Sequence, residues 1–233
     1  MQGLDFEGEE EMKEMKMILP DYQIKGIRLY NMDCLEFMKE VDDNYYELAI
    51  VDPPYGIGAD KQIKFGKQQR HLHNDKNWDN AIPDKLYFNE LMRMSKHQII
   101  WGGNYFINYL SNTKSFIVWD KMNGTNNMAD CELAWTNFDK PVRMYHGHIF
   151  SGIGNSNYKT IHPTQKPIRL YAWILSNYAK PNDKIFDSHG GSFSSACACL
   201  DMGFEFDGCE IDKEYFDNAV NRLKNNVQEY LEF

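Results

Sequence analysis

Residues 47–55 read Glu-Leu-Ala-Ile-Val-Asp-Pro-Pro-Tyr, and this stretch decides the fold. The run from Glu47 to Val51 is apolar after its first residue, which is typical of a strand buried on both faces of a parallel sheet. The Asp-Pro-Pro at 52–54 ends the strand, because proline cannot donate to a β-ladder and restricts the residue before it. Ligands of open α/β sheets bind outside the carboxyl ends of strands, so the tetrapeptide 52–55 stands at a predicted binding edge.

Strand-like and helix-like segments alternate along the rest of the chain. Strands are predicted at residues 27–30, 47–51, 97–101, 115–119, 131–136, 142–145, 184–187 and 205–211. Helices are predicted at residues 33–41, 84–95, 167–178, 192–202 and from 213 onward, with a short one after Gly102-Gly103. The alternation predicts an α/β fold with an open, mostly parallel sheet covered by helices.

Composition favours one globular domain. The 233 residues are 42% hydrophobic and 25% charged, which excludes a disordered or fibrous chain. We predict an acidic N-terminal extension at residues 1–20 and a single domain at 21–233. The five cysteines form no C-x-x-C pair, so neither a disulfide framework nor a metal site is expected. No apolar run approaches the roughly 18 residues of a membrane span, and we expect a cytoplasmic protein.

The charge is unevenly distributed. The net charge is −9, which argues against a protein that coats nucleic acid unspecifically. Residues 1–16 carry six acidic and two basic side chains, a local −4, whereas residues 61–76 carry five basic and one acidic, a local +4. A charge run is usually a solvated face, but this one follows the tetrapeptide directly. We therefore predict a basic loop at residues 56–83 whose Lys61, Lys64, Lys67 and Arg70 contact the phosphates of a bound nucleic acid.

The tetrapeptide suits chemistry on an exocyclic amine of an aromatic ring. Such a nitrogen is a poor nucleophile, because its lone pair is delocalised into the ring. The Asp52 carboxylate and the Pro53 carbonyl could accept both amine hydrogens and stabilise the developing positive charge, while Pro54 fixes their direction and Tyr55 stacks on the ring. The competing interpretation is a strand that simply ends at Pro-Pro beside a core tyrosine.

Five further motifs stand in an informative order. They are Asn31-Met32-Asp33-Cys34, Trp101-Gly102-Gly103-Asn104, His162-Pro163-Thr164-Gln165-Lys166-Pro167, Asp187-Ser188-His189-Gly190-Gly191-Ser192 and Cys209-Glu210-Ile211-Asp212. With the tetrapeptide, they make residues 26–220 resemble the amino-group DNA methyltransferases, specifically the circularly permuted β class whose catalytic motif precedes the cofactor motifs. The resemblance implies a Rossmann-like methyltransferase fold with an antiparallel hairpin at one sheet edge, and S-adenosylmethionine as cofactor.

The resemblance also implies which residues bind the cofactor. They are Asp33, Cys34, Thr164, Lys166, Asp187, Gly190, Gly191, Ser192, Glu210 and Ile211. The chemistry agrees for the glycines, which let backbone approach an anionic group at a helix N-terminus, and for Glu210, placed as Rossmann-like folds place the acid that bonds ribose hydroxyls.

Each of these assignments has a plainer alternative. Glu210 could be an exposed acid at a strand end, Lys166 a solvated cation and Thr164 a helix-entry residue. Asp33 with Glu36 also forms a capping-box-like helix start.

One motif departs from the family pattern. The family usually has Pro and Phe after the aspartate of the glycine-rich motif and a second glycine two residues after the first, whereas this chain has Ser188, His189 and Phe193. We expect the Phe193 ring to crowd the cofactor, with Gly190 moving the tight turn forward by one residue.

The motifs and the resemblance together predict a DNA methyltransferase that acts on adenine N6 of a base flipped out of the duplex. Within the family, Asp at the first tetrapeptide position favours adenine, and Ser there is more often associated with cytosine N4. Cytosine N4 and a noncatalytic nucleic-acid-binding subunit remain as alternatives. Residues 120–160 correspond to a short target-recognition region, which suits a short target sequence or help from a second subunit in a homodimer.

Overall fold

One mixed sheet of nine strands organises the chain. The computed structural model describes residues 18–58, 79–123, 129–148, 161–162 and 164–231. The strands are β1 (Tyr22–Ile24), β2 (Ile27–Tyr30), β3 (Tyr46–Val51), β4 (Ser95–Trp101), β5 (Phe116–Asp120), β6 (Cys131–Thr136), β7 (Arg143–His146), β8 (Lys184–Asp187) and β9 (Glu205–Cys209). Their order across the sheet is β1-β2-β9-β8-β3-β4-β6-β5-β7.

The sheet is mostly parallel, as predicted. Among the described strands only β1 and β6 run against the others. β1 was not predicted from the sequence, because three residues carry no periodicity. It pairs with β2 across a two-residue turn in which Lys25 and Gly26 both have positive φ, 44° and 83°, and this hairpin forms one edge of the sheet.

Helices cover both faces. They are α1 (Cys34–Lys39), α2 (Lys85–Met94), α3 (Ile168–Tyr178), α4 (Ser194–Met202) and α5 (Lys213–Leu231), with a single 3₁₀ turn at Gly103–Tyr105 in place of the short helix predicted after Gly102-Gly103. The central strand β3 shows how the faces divide: Leu48 and Ile50 pack in the cluster that holds α3, α4 and α5, whereas Ala49 and Val51 pack with α1 and α2. None of the helices in the described part of the chain is long and apolar enough to span a membrane.

The strand order reverses between β3 and β8. From β3 the chain continues to β4 on one side, and from β8 it continues to β9 on the other. Connections that leave adjacent parallel strands in opposite directions open a crevice at their carboxyl ends, where ligands of such sheets bind. Asp52 follows β3 and Asp187 ends β8, so both stand at this crevice.

Candidate active site

The predicted catalytic tetrapeptide lies at the crevice. The Tyr55 hydroxyl donates to Asp52 Oδ1 at 2.6 Å, and its ring stacks on Tyr105 with centroids 4.9 Å apart. Gly102, at φ 70°, makes room for this ring, since a Cβ there would lie 2.2 Å from it. Tyr55 is therefore fixed between Asp52 and the chain after β4. Burial raises the pKa of the Tyr55 hydroxyl well above its ordinary value, so the hydroxyl keeps its proton and donates a hydrogen bond to Asp52.

Lys166 contacts the Asp52 carboxylate rather than standing free in solvent. Its ammonium forms an ion pair with Asp52 Oδ2 and lies 3.1 Å from Glu132 Oε2. Glu132 Oε1 is in turn 2.6 Å from the Lys121 ammonium. The sequence alternative of a solvated Lys166 is wrong, because the side chain is 5% exposed.

Glu132 is a residue that sequence reasoning missed. It lies on β6, 34 positions before Lys166, and nothing in Cys131–Thr136 beyond an acid within a strand marks it out. Burial alone would raise the pKa of Glu132, but the Lys166 and Lys121 ammonium groups outweigh that effect and lower it. Likewise, burial opposes the charge of Lys166, yet Asp52 and Glu132 raise its pKa overall. Both side chains are therefore charged at neutral pH.

A cavity of about 260 Å³ opens beside Asp52. Its walls come from the ends of β3, β8 and β9 and from the segment before α3. The lining residues are Asp52, Pro54, His162, Thr164, Gln165, Lys166, Tyr171, His189, Gly190, Gly191, Ser192, Ser194, Glu210, Ile211, Asp212 and Tyr215. The structure thus brings seven of the ten predicted cofactor residues to the same cavity as the tetrapeptide.

The glycine-rich turn shows why Phe193 does not crowd the cavity. Phe193 has φ 48°, which turns its fully buried ring into the core against Phe206 and Phe216. A Cβ on Gly190 would lie 2.1 Å from that ring and one on Gly208 would lie 2.5 Å from it. The expectation that the ring points at the cofactor is corrected: it fills space beneath the turn that only glycines leave open. Helix α4 consequently begins at Ser194, two residues later than predicted.

Glu210 holds the turn from the neighbouring strand. Its Oε2 accepts from the Gly191 amide and its Oε1 from the Asp212 amide, both at 2.7 Å. The alternative of an exposed strand-end acid is wrong, since Glu210 is 9% exposed. Thr164, across the cavity, has its hydroxyl 3.2 Å from His162 Nδ1.

Three predicted cofactor residues are not among those that line the cavity. Asp33 caps α1, accepting from the amides of Leu35 and Glu36, so the capping interpretation is confirmed by geometry. The Cys34 sulfur lies 3.9 Å from His189 Nε2, and burial raises the pKa of its thiol to about 12. Asp187 points inward and accepts from the Ser195 hydroxyl at 2.6 Å.

His189 stands between these groups and the cavity. Its Nδ1 is 2.8 Å from the Ser188 hydroxyl, which in turn lies 2.7 Å from the Tyr87 hydroxyl. Burial lowers the pKa of the imidazole to about 4, so it is neutral at neutral pH. In the Ser188-His189 pair that departs from the family pattern, a neutral His189 therefore lines the cavity and Ser188 links it to Tyr87.

The predicted DNA contacts fall outside the described residues. Lys61, Lys64, Lys67 and Arg70 lie in the range 59–78, which is not described, and so do residues 1–17 of the acidic extension. Of the predicted target-recognition region 120–160, the structure describes 120–123 and 129–148.

Comparison with known proteins finds DNA methylases and methyltransferases. Residues 135–221 match the family model of N6_N4 DNA methylases, a segment that holds the motifs at 162–167, 187–192 and 209–212 but not the tetrapeptide. Type II methyltransferase M1.MboII of Moraxella bovis is 21% identical over 85% of this chain and 98% of its own length.

Two solved structures share the fold. The complex of M1.HpyAVI with SAM is 24% identical, with a TM-score of 0.59 over 84% of this chain and 98% of that one. PvuII DNA methyltransferase, described as cytosine-N4-specific, is 13% identical, with a TM-score of 0.59 over 86% of this chain and 87% of that one. The chain is therefore similar to the N6/N4 DNA methylases in the matched segment at residues 135–221, and it shares its fold with solved DNA methyltransferases.

Proposed function

We propose that the protein methylates adenine N6 in double-stranded DNA, with the target base flipped into the crevice beside Asp52 and Tyr55. The observation that carries the proposal is that Asp52 and Glu210, from the ends of β3 and β9, line one cavity. An acceptor for an amine and an acceptor for ribose hydroxyls then share one cavity, whose volume of about 260 Å³ is just below the roughly 300–1,000 Å³ of small-molecule pockets.

The reaction follows from the acceptors at the tetrapeptide. The N6 lone pair forms the new N–C bond while the C–S bond of the methyl donor breaks and its electron pair stays on sulfur. Asp52 and the Pro53 carbonyl accept the amine hydrogens, so that the positive charge developing on nitrogen is stabilised by groups already in place. The methylated nitrogen then loses one proton, for which the Asp52 carboxylate is the nearest acceptor on the way to water.

The residues present fit S-adenosylmethionine. Glu210 is held by the Gly191 and Asp212 amides at the cavity lining, where its carboxylate is proposed to accept from the ribose hydroxyls. Gly190, Gly191, Ser192, Thr164 and Ile211 are proposed to surround the rest of the cofactor. The three predicted residues outside the cavity lining are proposed to support cofactor binding indirectly, by fixing α1 and the turn after β8. They are Asp33, Cys34 and Asp187.

Adenine rather than cytosine is proposed because Asp opens the tetrapeptide, as in the adenine enzymes that the chain resembles. The order of motifs, with the tetrapeptide before the glycine-rich turn, supports the circularly permuted β class. For the duplex itself we propose phosphate contacts from Lys61, Lys64, Lys67 and Arg70, with a homodimer as the arrangement that compensates for a short target-recognition region.

Methylation-aware sequencing of DNA from cells that express the protein tests the proposal. We expect N6-methyladenine in one short sequence context with the wild type and none with Asp52→Ala. N4-methylcytosine in its place would correct the base. Unmodified DNA from both, with soluble wild-type protein present, would favour the noncatalytic subunit.

A further inference from the structure

Four charged side chains form a continuous row from the proposed catalytic edge of the sheet to the region of the antiparallel strand β6. Asp52 contacts Lys166, Lys166 lies 3.1 Å from Glu132, and Glu132 lies 2.6 Å from Lys121. They come from four different segments: the end of β3, the residues before α3, strand β6 and the residue after β5. The charges alternate in sign along the row, so that the Lys166 ammonium stands between two carboxylates.

The surroundings leave Lys166 dependent on those two carboxylates. The side chain is 5% exposed, and its ammonium lies 5.3 Å from the Trp101 ring centroid and 5.9 Å from that of Tyr55. Within ion-pair distance, its acidic partners in the described part of the chain are Asp52 and Glu132. A buried charge needs such partners, because it has been removed from water.

Both oxygens of the catalytic carboxylate already have donors. Oδ1 accepts from the Tyr55 hydroxyl, and Oδ2 accepts from Lys166. A target amine that donates to Oδ2 therefore has to displace or share with Lys166. Methyl transfer also places positive charge on that amine, and an unbalanced ammonium a few ångströms away would oppose it.

We propose that Glu132 is a positioning residue for methyl transfer: it anchors and neutralises Lys166, so that Asp52 is free to accept from the target amine. This inference rests on the proposed function, because it needs an amine as the group that meets Asp52. Glu132 acts through Lys166: it is not itself a cavity-lining residue, and no described hydrogen bond or ion pair joins it to the tetrapeptide.

Replacing Glu132 by Gln tests the role. The Gln side chain has nearly the same shape but no charge, so that Lys166 keeps Asp52 as its single counterion and competes with the amine. We expect kcat for methyl transfer to fall by about ten- to a hundredfold, less than the roughly hundred- to thousandfold of a lost contact at the reacting centre itself, because Glu132 acts through Lys166. Affinity for S-adenosylmethionine, measured by calorimetry, is expected to stay within about twofold, since Glu132 lies outside the cavity lining.

Two further variants separate this role from a structural one. Glu205→Gln is the matched control, because Glu205 is a strand glutamate paired with Arg28 at 3.9 Å, away from the cavity. It should keep wild-type kcat. In a Lys166→Met background, Glu132→Gln should cause no further loss of kcat, because its effect passes through Lys166. Should Glu132→Gln fail to fold, Glu132→Asp replaces it and is expected to keep more activity than Lys166→Met.

The outcomes are distinguishable. Wild-type kcat in Glu132→Gln, or an equal loss with and without Lys166, overturns the positioning role and leaves the proposed function intact. A folded wild-type enzyme that transfers no methyl group to DNA overturns the proposed function, and this inference with it.

Discussion

Asp52 and Asp187 stand at the carboxyl ends of adjacent parallel strands, yet they meet opposite surroundings. Asp52 contacts an ammonium and a tyrosine hydroxyl beside the cavity. Asp187 is 2% exposed and accepts from the Ser195 hydroxyl and, at 3.1 Å, from the His189 amide. Burial raises its pKa from an ordinary 3.8 to about 7, since hydrogen bonds from neutral donors compensate only part of the desolvation.

The difference teaches that strand position alone does not make a carboxylate catalytic. Both aspartates end a central strand at the crevice, and the sequence motifs around both are equally prominent. The open cavity beside Asp52 leaves room for an amine to meet its carboxylate, whereas the sealed neutral environment makes Asp187 part of the scaffold that holds α4 and the turn.

The largest effect should separate the two aspartates in turnover. Asp52→Asn removes the charge that stabilises the developing cation, and we expect kcat to fall by about a thousandfold. Asp187→Asn keeps an acceptor for the Ser195 hydroxyl and should reduce kcat by less than about tenfold. Transfer of labelled methyl groups to DNA at saturating substrate measures both.

Affinity for the cofactor provides the control for the two asparagine variants. Asp52→Asn should bind S-adenosylmethionine with nearly wild-type affinity, because the lost charge acts on the target amine. Equal losses of kcat in the two variants would show that the structural contrast between the aspartates carries no catalytic meaning.

The second effect concerns stability against pH. Asp187 has a raised folded-state pKa. Its stabilising contribution to the free energy of unfolding is therefore full below about pH 4 and is lost as the pH rises through about 7. His189 has a folded-state pKa lowered from 6.5 to about 4, so its contribution is full above pH 6.5 and is lost as the pH falls through about 4. Between pH 4 and 6.5 the two slopes oppose each other and nearly cancel.

Replacing either Asp187 or His189 should reveal the pH dependence of stability that the other residue contributes. In Asp187→Asn, the free energy of unfolding relative to wild type should rise with pH by about 1.4 kcal/mol per unit, or about 3 kcal/mol from pH 4 to 6.5. His189→Asn should show the reverse slope over the same window. Urea unfolding at a series of pH values measures the free energy of unfolding of each variant and of the wild type. If both variants follow the pH dependence of the wild type, neither group is neutral in the folded protein over this window.

Local sequence information accounts for the central strands and the cavity wall. The apolar run before Asp52 and the two prolines predict a buried strand with a polar end, and the structure confirms the strand. Glu132 and Phe193 mark the limit of such reasoning. The partners of Glu132 are distant in sequence, so no local pattern reveals it. The direction of the Phe193 ring depends on one positive φ, which the residue type itself disfavours.

The smallest effect extends the comparison to a third carboxylate, Glu210. Its two oxygens accept the Gly191 and Asp212 amides, which an amide side chain with a single oxygen cannot both satisfy. Glu210→Gln therefore loosens the glycine turn and removes an acceptor proposed for ribose. We expect S-adenosylmethionine affinity to fall by about tenfold, equivalent to about 1.4 kcal/mol, with kcat at saturating cofactor little changed. Glu205→Gln, the same substitution at the other end of β9, should leave the calorimetric affinity unchanged. If Glu210→Gln binds the cofactor as the wild type does, Glu210 serves only the turn, and its role resembles that of Asp187 rather than Asp52.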